Sequence, residues 1–257
     1  MKSIAIAEIL SNNKLSDGIF EMIIAVDSIA KEAKAGQFVN VYTGLGENIL
    51  PRPISISEID KENGTLTLIY QVVGVGTKCF SDCTAGQEIK VLGPLGNGFI
   101  VPEEEASHVV VGGGIGAPPL IELVKALKGE VNVFLGARSK PILIEKFEAL
   151  GARVHVATDD GSVGFKGNVV ELMNKMQPKA DFIYSCGPKI MLNFLSQWAK
   201  SRGISAQVSM EERMACGIGA CVGCAIKIKK EGDSDWQNLK VCKDGPVFMS
   251  NEVVWDE

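Results

Sequence analysis

Histidine is nearly missing: His108 and His155 are the only two in 257 residues. Each stands beside an apolar run, so a histidine-based catalytic triad or a zinc hydrolase has almost no material to work with. Basic clusters are missing as well. The 26 Lys and Arg are outnumbered by 31 Asp and Glu, a net charge of -5. No Lys/Arg-rich block offers an electrostatic footprint for nucleic acid or an anionic membrane. At the amino terminus, MKSIAIAEILSNNKLSDG is interrupted by Glu8 and followed by no small-residue cleavage site. That reads as neither a signal peptide nor a membrane span, and a cytoplasmic location is expected. Internal repeats and low-complexity linkers are also absent. With 46% apolar and 22% charged residues, wholesale disorder is excluded.

What the chain does have is glycine and, locally, cysteine. Its 28 glycines imply many turns, and its length is near the upper end for one domain, so two or three smaller units are expected. Residues 1–99 carry short β-like runs at 19–26, 38–42, 65–72 and 88–91. In the third, Leu66, Leu68, Tyr70 and Val72 alternate onto one face, after the hairpin-type turn signal Asn63-Gly64. These runs predict a small antiparallel barrel. From His108 the texture becomes strand, glycine loop and helix, repeated to about residue 207. Over 102–207 this predicts a parallel α/β domain. Residues 208–257 are Cys- and Gly-rich, and about fifty residues make a marginal core, so a metal cluster is expected to be their main organiser.

Of seven cysteines, four crowd the last quarter as Cys216-x4-Cys221-x2-Cys224 with Cys242 following. In a reducing compartment that clustering favours metal over disulfides. The spacing is that of a plant-type [2Fe–2S] cluster, in which four thiolates hold two irons. Gly217, Gly219 and Gly223 between them suit a backbone that wraps closely round an anionic cluster. The alternative is a four-cysteine structural zinc site, which more often comes as two Cys-x2-Cys pairs.

Four further motifs suggest nucleotide cofactors. Arg52-Pro53-Ile54-Ser55, placed between two predicted strands, combines an Arg that can pair with a pyrophosphate and a Ser that can bond a flavin ring or phosphate. Gly74-Val75-Gly76-Thr77 can add backbone N–H groups to the same diphosphate. Gly112, Gly113, Gly114 and Gly116 follow an apolar strand and precede a helix, as expected beneath a nucleotide phosphate; the alternative is a packing turn. Where a standard Rossmann unit wants a ribose-binding acid, this chain has the strand VNVFLGAR. Cys186-Gly187-Pro188 stands at the end of the last predicted strand, where ligands of open α/β sheets gather. A thiol there can lie beside a nicotinamide or be a buried, inert residue. Cys79, Cys83, Trp198 and Trp255 read as packing residues. Asp159-Asp160 reads as a loop that can reach a cofactor hydroxyl, and Arg138 with Ser139 can meet a 2′-phosphate or be plain surface.

Taken together, these motifs resemble the ferredoxin–NADP reductase superfamily. Within it, AGQFVNV, LGPLGNGF, MEERMACGIGACVGCA and VCKDGPVF are similar to the family of electron-transfer subunits of type B dihydroorotate dehydrogenases, over nearly the whole chain. The resemblance implies an FAD-binding antiparallel β-barrel, an NAD-binding parallel α/β domain and a small C-terminal [2Fe–2S] domain. It implies FAD contacts at Arg52, Pro53, Ile54, Ser55, Ile69, Tyr70, Gln71, Gly76 and Thr77; the glycine loop and the Cys-Gly-Pro turn themselves place the expected NAD contacts at Gly112, Gly113, Gly114, Gly116, Cys186, Gly187 and Pro188. The resemblance makes Cys216, Cys221, Cys224 and Cys242 the iron ligands. It further implies an FMN-containing dihydroorotate dehydrogenase catalytic subunit as partner, in a heterotetramer of two of each. Electrons from dihydroorotate then pass singly through the cluster to FAD and on to NAD+, in pyrimidine (UMP) biosynthesis. The alternative is a paralogous subunit of an NAD(P)H–ferredoxin or sulfide-linked oxidoreductase; a zinc-stabilised module that has lost flavin is a third reading.

Overall fold

Alternating apolar residues in the first hundred positions close a six-stranded barrel. In the computed structural model, which describes residues 2–44 and 49–255, its strands are β1 (Ser3–Ser16), β2 (Ile19–Ala25), β3 (Phe38–Val41), β4 (Arg52–Asp60), β5 (Thr65–Gln71) and β6 (Glu88–Leu95). They close in the order β1-β2-β5-β4-β3-β6, with every neighbour antiparallel. Closure gives every strand two neighbours, although β4 and β5 pair over only part of their length. Leu66, Leu68 and Tyr70 face inward with Ile24, Val39, Ile56 and Val91, all buried. Asn63-Gly64 makes the β4–β5 turn, with Gly64 at φ +67°. Two short helices, α1 (Asp27–Ala30) and α2 (Val75–Ser81), lie between strands.

The second unit runs β7 (Ala106–Gly113), a 3-10 turn at Gly114–Gly116, α3 (Leu120–Ala126), β8 (Gly129–Ala137), α4 (Ile144–Ala149), β9 (Arg153–Thr158), β10 (Phe165–Lys166), α5 (Val169–Met176), β11 (Phe182–Cys186), α6 (Lys189–Lys200) and β12 (Ser205–Ser209). The carboxyl-terminal segment adds β13 (Ala225–Ile228), β14 (Gln237–Lys240), α7 (Val241–Asp244) and β15 (Val247–Met249). The main sheet has the order β10-β9-β8-β7-β11-β12-β15 and is parallel except for β15, which pairs antiparallel with β12. From β7 the chain first winds outward through β8 and β9, then restarts on the other side of β7 with β11. The β7–β11 boundary is therefore the topological switch point, where open α/β sheets leave a crevice at their carboxyl ends.

The cysteine-rich segment has more to hold it than a metal cluster. Cys224, Ile226, Ile228, Val241, Cys242 and Phe248 share one apolar core with Leu192 of α6, Val208 of β12 and Phe38 and Leu95 of the barrel. The segment thus borrows hydrophobic surface from both neighbours, which a fifty-residue unit needs. Among the described residues, no helix is long and apolar enough to cross a membrane.

Candidate functional site

The Arg52-Pro53-Ile54-Ser55 run is not a loop between strands; it is the start of β4. It pairs with β3, Pro53 opposite Asn40 and Ser55 opposite Phe38. Its other side is open, because the β4–β5 ladder begins only at Ile56 opposite Leu68. A proline is tolerated there for that reason: with one neighbour strand, the missing N–H interrupts no second ladder. Ile69, Tyr70 and Gln71 have likewise left β4 and pair only with β2. The two segments diverge from the Ile56–Leu68 pair and form the edges of a slot in the barrel wall. Backbone polar groups along such edges lack that ladder partner and are available to a ligand. The Tyr70 hydroxyl donates to Asn12 Oδ1 at 3.0 Å and its ring is buried in the barrel.

This slot opens into a cavity of about 710 Å³, a size typical of cofactor sites. Arg52 to Ser55, Ile69 to Gln71 and Thr77 line one side. Ile115, Gly116 and Cys186 of the α/β unit and the run Ser209 to Met214, which leads into the cysteines, line the other. Arg52 Nη1 donates to the Leu50 carbonyl at 2.7 Å. The Arg52 guanidinium lies against Gly76, where any Cβ would collide with it. Gly76 serves the site from beneath the arginine and does not line the cavity. The Thr77 hydroxyl is engaged locally: Val73 and Gly74 N–H donate to Oγ1, at 2.9 and 3.3 Å. A fixed positive charge at one end and the apolar Ile54, Ile69, Phe38 and Met210 elsewhere suit a flavin dinucleotide, whose diphosphate is anionic and whose ring system is flat and largely apolar.

A second cavity, about 740 Å³, lies at the switch point. Cys186 pairs with Gly112 in the β11–β7 ladder, so the glycine loop and the Cys-Gly-Pro turn, over seventy residues apart in sequence, are side by side. Gly112, Gly113, Gly114, Gly116, Gly187 and Pro188 all line this cavity, as do Arg138, Ser139 and Lys140. Glycine backbone with nearby cations suits a nucleotide's phosphates. Cys186 lines the first cavity, and burial pushes its thiol up to about 12, as for an inert thiol rather than a nucleophile. Gln71, Ile115, Gly116 and Glu211 line both cavities, so ligands in the two would meet there.

The four clustered cysteines converge beyond the Ser209 to Met214 wall. Cys221 N–H donates to Cys216 Sγ at 3.4 Å. Burial alone would raise the Cys216 thiol, but N–H groups of Cys221, Ile218 and Ala220 outweigh it and lower the pKa, favouring thiolate. Cys242, held on α7, is raised by burial and by the adjacent Cys224 thiol. Cys224 and Cys242 are buried while Cys216 and Cys221 are half-buried. Among the described residues, no three His, Cys, Asp or Glu side chains close on a single metal ion. The donor chemistry fits a thiolate-held cluster, with backbone N–H groups aimed at sulfur in the manner that stabilises one. Gly217 has φ +66°, a left-handed conformation open to glycine at little cost.

The remaining candidates lie elsewhere. Cys83 packs against the barrel core, with Sγ on the Cys79 carbonyl at 3.3 Å. His108 is buried on the Lys128 carbonyl and His155 bonds Asn132. Trp198 is buried, its indole N–H on Asn174, and Trp255 packs on the core around the cysteines. Asp159 and Asp160 line neither cavity. Sequence reasoning missed the Ser209 to Met214 wall and the shared Glu211. Their one signal is position, immediately before Cys216.

The chain is 40% identical over 264 residues, covering 100% of both chains, to the dihydroorotate dehydrogenase B (NAD(+)) electron transfer subunit of Desulforamulus reducens. The chain belongs to the family of dihydroorotate dehydrogenase B electron transfer subunits. Its relative from Streptococcus mutans is 40% identical over 96% of this chain and 97% of its own. The model of the iron–sulfur cluster binding domain of dihydroorotate dehydrogenase B matches residues 211–254, which hold all four cysteines and Glu211. Among solved structures, an NADH-dependent reduced ferredoxin–NADP oxidoreductase described for flavin-based electron bifurcation superposes with a TM-score of 0.86 at 32% identity, covering 98% of this chain and 90% of its own. A ferredoxin–NADP+ reductase from Neisseria gonorrhoeae, solved with FAD and NADP, shares the fold at a TM-score of 0.65 and 19% identity, over 78% of this chain and 92% of its own. Membership of this family accounts for a reductase fold that carries a cysteine-rich segment at its end.

Proposed function

We propose that this chain couples the oxidation of dihydroorotate to orotate, on an FMN-containing catalytic subunit, to the reduction of NAD+ in pyrimidine biosynthesis, as a cytoplasmic heterotetramer of two copies of each subunit. The observation that carries the reading is the continuity of three sites: the nucleotide cavity meets the barrel cavity at Gln71, Ile115, Gly116 and Glu211, and the barrel cavity's far wall leads into Cys216. A flavin in the barrel cavity supplies the chemistry that joins the two ends, because it exchanges electrons singly with an iron–sulfur cluster and in pairs, as hydride, with nicotinamide.

The chain's own residues bind and orient. Arg52 provides the charge for a diphosphate, and the edges at Arg52 to Ser55 and Ile69 to Gln71 offer backbone to a flavin's rim. Gly112 to Gly116 with Gly187 and Pro188 seat the dinucleotide. Cys216, Cys221, Cys224 and Cys242 supply four thiolates. None of these side chains needs to act as a general acid or base. Ile218 and Val222, on the cysteine loop, are 46% and 75% exposed. Two large apolar side chains bared at that point suit a partner that docks over the loop.

The test is an anaerobic visible spectrum of the chain purified from its host with whatever binds it, before and after dihydroorotate, and on a second sample after NADH. Bleaching of flavin and cluster by both supports the reading. Bleaching by nicotinamide alone moves the assignment to an NAD(P)H–ferredoxin type subunit, which the 32% identical oxidoreductase makes the specific competitor.

A further inference from the structure

Asn40 is an amide in an apolar place. It lies on β3, opposite Pro53 in the ladder that carries Arg52 to Ser55, and is only 1% exposed. Its side chain leaves the barrel and ends on the cysteine loop, where Nδ2 donates to the Cys216 carbonyl at 3.1 Å across 176 residues of sequence. Gly217 lies so close that a Cβ there would run into the Asn40 amide. Asn40 Oδ1, by contrast, is buried with no partner. Asparagine is disfavoured in strands, and an unsatisfied buried acceptor costs about 1–3 kcal/mol. A leucine would fill the same volume without that cost, so packing does not account for the residue.

The hydrogen bond does account for it. One strand is tied through its backbone to the edge of the barrel cavity and through one side chain to the first cysteine. The Cys216 carbonyl belongs to the peptide that opens the loop whose Cys221 N–H donates to Cys216 Sγ at 3.4 Å, with the N–H groups of Ile218 and Ala220 beside it. Freeing that carbonyl lets the peptide turn and the donors drift from sulfur, and donors of this kind set cluster potential.

We propose that Asn40 is a positioning residue, which locks the cysteine loop to the strand beside the barrel cavity and so sets both the potential of a cluster held there and its electronic contact with the flavin site. This rests on the reading of the four cysteines as cluster ligands.

The experiment uses the intact complex with Asn40→Leu and Asn40→Asp, the latter equal in shape but unable, when ionised, to donate. Iron and flavin contents, the electron paramagnetic resonance spectrum of the reduced protein, the one-electron potential, and two stopped-flow rates are measured: flavin bleaching by NADH, and the slower change at cluster wavelengths. Both variants are expected to bleach flavin at the native rate, to show a shifted resonance spectrum and potential, and to slow the cluster phase by roughly tenfold or more. Loss of iron with flavin retained also supports the role. A native spectrum, potential and cluster phase in either folded variant overturns it. Iron-free native protein would instead overturn the cluster reading, before any variant is compared.

Discussion

Lys146→Met should loosen the seam between the barrel and the α/β unit. Lys146 Nζ on α4 reaches two barrel strands at once, 2.7 Å from Glu21 Oε2 on β2 and 2.7 Å from Glu58 Oε1 on β4. Lys125 on α3 holds the other Glu58 oxygen at 2.8 Å, and Ile59 N–H donates to Glu122 of α3 at 2.9 Å. Burial alone would raise Glu58, but hydrogen bonds from Lys125 and Lys146 outweigh it and hold the carboxyl below its ordinary 4.5. Burial likewise works against Lys146, yet Glu21 and Glu58 raise its ammonium above the ordinary 10.5. A hydrogen bond to a charged group contributes about 1.5–3 kcal/mol. The Lys146 side chain is 39% exposed, so solvent screening reduces each to about 1 kcal/mol, or about 2 kcal/mol for the pair. For a chain of this size that corresponds to a fall in Tm of about 4–8 °C.

The assay is calorimetry of the flavin-loaded protein at low and high salt. The deficit should shrink at about 1 M salt, where the Debye length is about 3 Å, and Lys146→Arg should recover most of it. The sign with pH follows from the shifts. The depressed Glu58 contributes fully above 4.5, and its share is lost as pH falls through its lowered value. The raised Lys146 contributes fully below 10.5, and its share is lost as pH rises through its elevated value. The deficit of Lys146→Met should therefore be level between those limits and vanish in acid. A change in Tm under about 1 °C at low salt and neutral pH would refute the reasoning. Because both walls of the barrel cavity meet across this seam, flavin bleaching by NADH should slow in the same variant.

Three other substitutions test the sites directly. Arg52→Ala removes the fixed cation over Gly76 and should weaken flavin retention by about 10–100-fold, the equivalent of one charged hydrogen bond; equal affinity by flavin titration takes Arg52 out of the site. Cys221→Ser should abolish the cluster spectrum and electron delivery to the partner while NADH still bleaches flavin, and undiminished delivery sinks the relay. Val222→Glu puts a charge on the exposed tip of the cysteine loop and should leave iron and flavin in place but stop co-purification of the catalytic subunit; an intact complex on size exclusion places the docking surface elsewhere.

Much of this chain was legible because its signals are local. Alternation in 65–72 predicts a strand with one buried face, and β5 buries Leu66, Leu68 and Tyr70 on that face with Ile69 buried on the other; strand, glycine loop and helix from His108 predict β7 and the turn after it. Cysteine spacing reads as a cluster because Cys216, Cys221 and Cys224 share one loop and are constrained by the chain between them. Arg52-Pro53-Ile54-Ser55 reads as lying between two strands, whereas it opens β4, because only the divergence of β4 from β5 leaves room for a proline in a strand.

The sequence by itself determined the parts: a β unit, a βα unit, three closely spaced thiols, an arginine and two glycine turns, each set by residues within a few positions of one another. Tertiary structure alone decided how they meet. The Cys186–Gly112 register, the slot between β4 and β5, Glu211 in the wall of both cavities, the Asn40–Cys216 bond and the Lys146 bridge each join residues far apart along the chain. No periodicity or spacing encodes such pairs, because what brings them together is the burial of a common core.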